Sequence, residues 1–426
     1  MATRGAAARE LHLERLLRVA TCLTMCGYGA QVAQLAACAR AFYSDAQVWA
    51  AQVHHRGGAH GRTHLMHAAG MGSAARVQYL LDRGAAVDAA TVRGGGTALM
   101  FACEKGHLET VRCLVERGGA NVNAAKTTDG TTALLYASQN GHLEIVRCLV
   151  ERGGANVNAA VTDDGFTALM SASENGYLEI VRCLVERGGA NVNAATTADG
   201  WTALMSASAK GHLEIVRCLV ERGGANVNAA RTTDGQTALM WACKRGDLET
   251  VRFLVELRGA NVNAARINDG FTALICASER GHLEIVRFLV KHGSANVNAA
   301  TTTDGMTALL WASEKGHLEI VRCLVERGGA NVNAAATVDG FTALMWGSQE
   351  GHLEIARFLL ERGGANVNVA ATDDGFTALM AASAQGHLAI VCLLLQHGAD
   401  RHALSHAGHS AHALAASHPL VQAALA

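Results

Sequence analysis

The sequence has one proline, Pro419, few aromatic side chains (4%) and no excess of charge of either sign. Its 36 lysines and arginines balance 37 aspartates and glutamates, so the net charge is −1. This balance does not resemble the basic composition of a nucleic-acid-binding protein, and the sequence has no polybasic run that would indicate a membrane-surface protein. No apolar run reaches the roughly 18 residues of a membrane span. Half of the residues are hydrophobic, which is too many for a disordered chain.

The spacing of the twelve cysteines predicts packing positions and not disulfides. Five cysteines share one 35-residue grid with three phenylalanines: Cys113, Cys148, Cys183, Cys218, Phe253, Phe288, Cys323 and Phe358. Equivalent helices of stacked repeats lie about 8–10 Å apart, whereas a disulfide needs Cα atoms within about 7 Å. A position that accepts cysteine or phenylalanine is an apolar packing position. We therefore expect free thiols and a reducing compartment, the cytoplasm or the nucleus.

Charged residues also interrupt the apolar stretch near the N-terminus. They are Glu10, Glu14, Arg15 and Arg18. A secretory signal has an uninterrupted apolar region, so we expect none here, and a transit peptide stays a minor alternative.

The triplet Thr-Ala-Leu recurs nine times, and every interval is 35 residues. It begins at Thr97, Thr132, Thr167, Thr202, Thr237, Thr272, Thr307, Thr342 and Thr377. A looser copy has Thr63 at the matching position, and one more step of 35 residues reaches His412-Ala413-Leu414. We therefore expect eleven repeats. The two end repeats diverge because one face of each meets water.

The repeat that begins at Asp129 predicts two short helices. Asp-Gly indicates a turn, and Thr132 is a suitable N-cap for a first helix over residues 133–140. Gly141 ends this helix, and a second helix is predicted over residues 143–152. Two short helices cannot bury their apolar surface alone, so each repeat must stack on its neighbours.

The second helix carries one polar stripe. Glu144 and Arg147 are spaced for a weak surface ion pair, as are Arg147 and Glu151. The remaining arc is apolar and is predicted to be buried: Leu143, Ile145, Val146, Leu149 and Val150.

This pattern resembles the ankyrin repeat. The family's repeat reads Asp-x-x-Gly-x-Thr-Pro-Leu-His, then two helices joined by Gly-His, then Gly-Ala-Asp-Val-Asn-Ala. Here the chain reads "DGFTALM" and "ENGYLEIVRCLVERGGANVNAA". The resemblance covers residues 58–426. It implies an all-α ankyrin-repeat solenoid of about eleven stacked helix-turn-helix repeats with β-hairpin-like connections, the last one truncated.

The resemblance also implies a function. Ankyrin arrays are typically non-catalytic scaffolds for protein–protein interaction, and they bind partners through the concave face and the hairpin tips. We therefore expect a protein partner, no enzymatic activity and no cofactor. We also expect the chain to be a monomer.

Three departures from the family pattern stand out. Each regular repeat has 35 residues where the family has 33, with one extra residue in "GGANVN" and one in the connection that follows. The hairpin should therefore be longer or bulged. Alanine replaces the family's proline at the first helical turn, and methionine or leucine mostly replaces the histidine after leucine.

Two positions vary between repeats: the residue before the repeated threonine, here called position A, and the fourth residue after it, position B. Every regular repeat has at least one aromatic residue at these positions, and only the repeat of Phe341 and Trp346 has two. These rings either fill a groove beside the first helix or form a partly exposed row that binds the partner. The candidate partner-binding residues are Phe101, Tyr136, Phe166, Trp201, Trp241, Phe271, Trp311, Phe341, Trp346 and Phe376.

The two residues before each repeated glycine also vary, for example Lys244-Arg245 against Glu314-Lys315. By analogy with the family they face the partner. The alternative is that they are unconstrained solvent positions.

The repeated histidine after each glycine predicts a structural role. It recurs in seven repeats and is replaced by Tyr177 and Asp247 in two. A catalytic site needs different residues that converge at one place, so this histidine is expected to stabilise the turn. The C-terminal tract with His402, His406 and His409 lacks a cysteine or carboxylate cluster that would complete a metal site, and we expect no metal there.

The first 57 residues lack the repeat and predict two or three short helices, which form a cap or an F-box-like segment. Part of this segment resembles the later half of an F-box, through Leu35, Cys38, Arg40, Phe42, Asp45 and Trp49. The Leu-Pro opening of that family is missing. The resemblance implies docking to a ubiquitin-ligase adaptor, with the repeats as the substrate receptor.

Overall fold

The computed structural model describes residues 56–57 and 61–426. The chain forms two compact parts, Met1–Thr128 and Asp129–Ala426, and each is described by itself. The F-box-like positions, and nearly all of the predicted N-terminal segment, lie outside the described residues. None of the described helices is both long enough and apolar enough to cross a membrane.

The described residues form eleven helix pairs, as the sequence predicts. The first helices are His64–Gly70, Ala98–Lys105, Ala133–Gln139, Ala168–Asn175, Ala203–Lys210, Ala238–Arg245, Ala273–Glu279, Ala308–Glu314, Ala343–Gln349, Ala378–Gln385 and Ala411–Leu414. The second helices are Ala74–Asp82, Leu108–Arg112, Leu143–Arg147, Leu178–Arg182, Leu213–Glu221, Leu248–Arg252, Leu283–Lys291, Leu318–Glu326, Leu353–Glu361, Leu388–Gln396 and Pro419–Leu425. Four of the second helices continue into one π-helical turn, at Cys113–Arg117, Cys148–Arg152, Cys183–Arg187 and Phe253–Leu257.

The repeated threonine is the N-cap of every first helix except the last. The side chain of Thr132 accepts a hydrogen bond from the backbone N–H of Leu135 at 3.3 Å, which confirms the prediction. The threonine also forms an isolated antiparallel bridge with the preceding connection, as between Ala160 and Thr167. The cap therefore fixes both the helix start and the base of the hairpin. The one two-stranded sheet among the described residues pairs Arg56–Gly57 with Arg62–Thr63.

The core lies between neighbouring repeats. Within Asp129–Ala426, each first helix contacts the first helices on either side, and most second helices do the same. In the repeat of Thr132, the side chains of Ile145, Val146 and Leu149 are at most 2% exposed. Leu143 and Val150 are half-buried, so their predicted burial is only partial.

The grid of cysteine and phenylalanine is a packing position. Cys148 is 5% exposed and Phe288 is 4% exposed at equivalent places on their second helices. The nine described cysteines are free thiols.

One of the two extra residues widens the end of the second helix. In a regular repeat the backbone N–H of Ala155 reaches back six residues to the carbonyl of Leu149. After the second helix Leu388–Gln396, the backbone N–H of Ala399 reaches back only five residues, to the carbonyl of Leu394. The sequence "QHGAD" there lacks one residue, so the chain itself contains the shorter form of this turn.

The other extra residue lengthens the hairpin. In a regular repeat the N–H of Val161 donates to the carbonyl of Phe166, five residues ahead. In the last connection Ser405 bonds His409, four residues ahead. The predicted longer hairpin is therefore confirmed.

The last repeat departs from the predicted 35-residue spacing. Its N-cap is Ser410, whose side chain accepts from the N–H of Ala413 at 3.3 Å, and Ser410 lies 33 residues after Thr377. The prediction that placed His412 at the threonine position is wrong, because both extra residues are missing from this connection. His412 is exposed.

One predicted ion pair is also wrong. Arg147 pairs with Glu144 at 2.9 Å, as expected. Glu151 pairs with Arg187 of the next repeat and not with Arg147. Equivalent helices lie side by side, so a side chain 36 residues away competes with one on the same helix.

Candidate functional site

The predicted aromatic residues, here called the ring row, are neither fully buried nor free in solvent. Nine of the ten are half-buried. Phe341 is the exception and is 7% exposed. One edge of each ring is therefore packed, while part of nearly every ring remains open to solvent.

Positions A and B of one repeat face each other. The indole Nε1 of Trp201 donates to Oγ of Ser206 at 2.6 Å, although five residues separate them. In the repeat with two rings, the centroids of Phe341 and Trp346 lie 5.1 Å apart. This geometry fits the predicted groove at the helix start that holds one large ring.

Rings also touch between neighbouring repeats. The centroids of Trp201 and Trp241 are 5.1 Å apart in an edge-to-face arrangement, with planes at 67°. Phe271 and Trp311 are 5.8 Å apart at 52°. A ring at position A thus meets position B of the next repeat, 40 residues later. The pattern within one repeat does not reveal this contact, and the available signal was the 40-residue spacing between rings at positions A and B.

The hairpin fixes the backbone at position A. The N–H of Trp201 donates to Oγ1 of Thr196 at 2.7 Å and to Oδ1 of Asp199 at 3.3 Å. The Thr196 hydroxyl, the Trp201 N–H and the Arg231 guanidinium hold the pKa of Asp199 below its ordinary value, although partial burial acts in the opposite direction. The same contact recurs at Phe376, whose N–H donates to Asp374 at 2.8 Å.

Cations lie over four consecutive rings in the middle of the row. The distances to the ring centroids are 5.2 Å for Arg231 over Trp201, 5.2 Å for Lys244 over Trp241, 5.3 Å for Arg266 over Phe271 and 5.5 Å for Lys315 over Trp311. Each is within the range of a cation–π contact. In the compact part Met1–Thr128, Arg62 lies 4.4 Å from the ring centroid of Phe101.

Arg231 and Arg266 are also held by carboxylates. Arg231 pairs with Asp199 at 2.9 Å, and Arg266 pairs with Asp269 at 3.0 Å. Lys244 differs, since it has no ion pair among the described residues.

Within each compact part, the repeated histidine ties its repeat to the one before it. Nε2 of His212 donates to the carbonyl of Glu174 at 3.2 Å, and Nε2 of His352 donates to that of Glu314 at 3.0 Å. Where aspartate replaces histidine, Asp247 caps its own helix by accepting from the N–H of Thr250 at 3.1 Å. The predicted structural role is therefore confirmed.

No group of three or more His, Cys, Asp or Glu side chains that could hold a metal ion occurs in residues 61–426. In the C-terminal tract, Nδ1 of His406 donates to the carbonyl of Asp373 at 2.9 Å. The backbone N–H of His406 also donates to the carbonyl of Asp374 at 2.8 Å, and this second bond repeats the hairpin-to-hairpin contact of the regular repeats, such as that of Thr162 with Asp129.

The second helices of three repeats form a polar cavity of about 440 Å³. Its lining alternates in charge, as with Glu326 and Arg327 on one helix and Glu361 and Arg362 on the next. Charges of both signs side by side favour no single class of ligand, so we assign no function to this cavity.

Comparison with known proteins agrees with the geometry. The sequence matches the family described as ankyrin repeats (3 copies) over residues 32–126, 119–196, 189–266, 263–336 and 329–405. The first match begins within the predicted N-terminal segment. No curated protein matches the chain.

Proposed function

Because the chain belongs to the ankyrin-repeat family, we propose that it is a non-catalytic scaffold that binds a partner protein. Ankyrin repeats are in general protein–protein interaction modules. The proposed contact surface is the concave face and the hairpin tips of the array, with the ring row as its anchors. The supporting observation is that rings of neighbouring repeats touch one another and yet stay half-buried, as Trp201 and Trp241 do.

This arrangement is physically suited to recognition. Tryptophan, tyrosine and phenylalanine are enriched among the residues that dominate binding energy. Rings whose edges are already packed lose little side-chain entropy on binding. The row therefore offers rigid apolar anchors, while the variable polar residues beside it would set specificity.

Affinity purification tests the proposal. The native chain and a variant with Trp241→Ala, Trp311→Ala and Trp346→Ala are used as baits, and both are checked by circular dichroism. A matched control carries Leu257→Ala and Leu420→Ala, which remove side chains that are 60% and 73% exposed outside the ring row.

We expect the control to retain the native set of partners and the triple variant to lose at least one. Each lost partner is then purified, and its binding to the three proteins is measured by calorimetry. If the folded triple variant binds every partner as tightly as the native chain, the ring row is not the contact surface.

A second candidate function rests on the F-box-like residues between Leu35 and Trp49. It makes the chain the substrate receptor of a ubiquitin ligase. Full-length protein should then pull down a purified ligase adaptor, and Trp49→Ala should abolish this binding, whereas Trp346→Ala should not. Absence of binding by the folded native chain removes this candidate.

We place this activity in the cytoplasm or the nucleus and assign it to a monomer. The nine free thiols of the described residues suit a reducing compartment. Sedimentation of the purified chain tests the oligomeric state, and imaging of the tagged chain tests the location.

A further inference from the structure

The ring row has a two-repeat period in its middle section. From Trp201 to Phe341, position A is aromatic in every second repeat, and Gln236 and Met306 stand between. These two side chains are 7% and 4% exposed, so they add little to the surface. The section therefore presents two separate pairs of touching rings, Trp201–Trp241 and Phe271–Trp311.

Two cations lie at the first ring pair, Trp201–Trp241. Lys244 and Arg245 belong to the first helix of the repeat between Trp201 and Phe271. Neither forms an ion pair among the described residues. The Arg245 guanidinium lies 3.4 Å from the backbone carbonyl of Ala209, and the Lys244 ammonium lies over Trp241. Lys244 therefore lies against the first ring pair, Arg245 reaches back into the preceding repeat, and no ion pair within the described residues neutralises either charge.

On the basis of the function proposed above, we propose that this section binds an extended acidic peptide with two bulky apolar side chains. Two repeats span about 16–20 Å at 8–10 Å each. An extended chain rises about 3.3 Å per residue, so the two apolar side chains stand about five to six residues apart. A spacing of six also puts both side chains on one face of the peptide, because side chains alternate in a strand.

Charge complementarity selects acidic side chains next to the first anchor. A carboxylate there meets Lys244 and Arg245, which have no competing carboxylate. The rings bind the apolar side chains, and the cations favour negative charge beside the first of them.

A nucleic-acid strand fits this section less well. Carboxylates are interleaved with the cations, since Asp199 pairs with Arg231 and Asp269 pairs with Arg266. A nucleic-acid strand carries a negative charge about every 3.4 Å and would meet these carboxylates. A peptide can place its charges only where Lys244 and Arg245 lie.

Fluorescence anisotropy with synthetic peptides tests the proposal on the full-length chain. The probe is a labelled 13-residue peptide with phenylalanine at positions 4 and 10 and glutamate, serine and glycine elsewhere. One control peptide replaces every glutamate by lysine, and another replaces both phenylalanines by alanine. A 15-nucleotide oligothymidine is the competing polyanion.

We expect the acidic peptide to bind about tenfold more tightly than either control peptide, and more weakly as salt rises. Lys244→Glu with Arg245→Glu should weaken binding by at least tenfold. Arg322→Glu with Arg357→Glu reverses two exposed charges on the second helices and should leave the affinity unchanged. Circular dichroism confirms that both variants fold.

Three results would overturn the proposal: equal affinity for the acidic and lysine peptides, tighter binding of the oligothymidine, or no binding of the acidic peptide at 1 mM. Its failure is distinguishable from failure of the proposed function. A partner captured by the native chain could be lost in the triple tryptophan variant and yet bind the Lys244→Glu, Arg245→Glu variant normally. That result would support the scaffold function and contradict the proposal that the partner is an acidic peptide.

Discussion

The indole N–H of Trp201 donates to the hydroxyl of Ser206, 2.6 Å away, and the same indole is in edge-to-face contact with Trp241. Ser206 is 2% exposed, so no water replaces its hydroxyl. Ser206→Ala should leave the indole donor unpaired and lower the free energy of unfolding by about 1–2 kcal/mol. Urea unfolding of the native and mutant chains measures the difference.

Ser171→Ala is the matched control, because Ser171 occupies the same position beside Phe166, which has no N–H to satisfy. Ser171 is also buried, at 3% exposed. We expect its replacement to change stability by at most about 0.5 kcal/mol. Equal effects at the two serines would show that the hydrogen bond contributes nothing.

A column of buried serines runs through the first helices. Their hydroxyls have no hydrogen-bond partner within the described part of the chain, and they lie six residues after the repeated threonine: Ser138, Ser173, Ser208, Ser278, Ser313, Ser348 and Ser383. Burying an unpaired hydroxyl is unfavourable, and alanine is a better helix former than serine. Ser313→Ala should therefore raise the free energy of unfolding by about 1 kcal/mol.

The chain supplies the reverse experiment. Cys243 occupies the same position in another repeat and is 0% exposed. Cys243→Ser introduces an unpaired hydroxyl and should lower the urea midpoint, whereas Ser313→Ala should raise it. A lower midpoint for Ser313→Ala would mean that the serine hydroxyl has a stabilising contact.

The fold could be predicted from the sequence because every regular repeat has nearly the same residues at equivalent positions. The N-cap at Thr132 and the burial of Val146 follow from rules that apply within a single repeat. Because the regular repeats are nearly identical in sequence, the same predictions apply to every one of them. The prediction failed at Ser410, where two residues are missing and the spacing alone indicated the wrong N-cap. Residue spacing cannot reveal such a change of phase, but hydrogen bonds across the connection do.

The candidate site was less predictable, because its key contacts join different repeats. The variation at positions A and B identified the rings. It did not reveal that Trp201 touches Trp241, or that Glu151 pairs with Arg187. Contacts between repeats depend on how neighbouring helices are displaced, and the sequence of one repeat does not contain that displacement.

Ser294 occupies a backbone conformation that favours glycine. Its φ is +49°, and it is the only non-glycine residue with positive φ among the described residues. The equivalent residue of the next repeat is Gly329, with φ of +65°, and a Cβ added there would meet no atom within 4 Å. The left-handed region costs a residue with a Cβ roughly 1 kcal/mol, so Ser294→Gly should stabilise the chain by about that amount.

Gly329→Ser tests the same strain in the opposite direction. It should lower the melting temperature, and Ser294→Gly should raise it. The surroundings of Gly329 are open, so a loss of stability there reflects backbone conformation and not a steric clash. If neither substitution changes the melting temperature, the strain at Ser294 is negligible.

Asp199 should contribute to the acid sensitivity of the chain. Its pKa is lowered in the folded state, first by the Thr196 hydroxyl and also by the Trp201 N–H and Arg231. A lowered pKa means that the stabilisation is fully present above the ordinary aspartate value of about 3.9 and is lost as pH falls through the folded-state pKa. Asp199→Asn should therefore be less stable than the native chain at pH 7, and the difference should shrink below about pH 4. Urea midpoints between pH 2 and pH 7 measure this convergence, and a difference that is constant with pH would contradict it.

The last prediction compares a substitution at the buried residue Val146 with the deletion of one whole repeat. Val146 is 0% exposed, so Val146→Asp buries an unpaired carboxylate and should lower the free energy of unfolding by about 4 kcal/mol or more.

Deleting residues 168–202 joins Thr167 to Ala203 and restores the 35-residue phase. Because each repeat contacts only its neighbours, the shortened chain should stay folded, with a melting temperature close to that of the native protein. Val338→Asp, at a site that is 64% exposed, is the control and should change stability by at most about 0.5 kcal/mol. Circular dichroism and thermal melting separate the outcomes: an unfolded deletion variant beside a folded Val146→Asp variant would show that stability is not shared between neighbouring repeats.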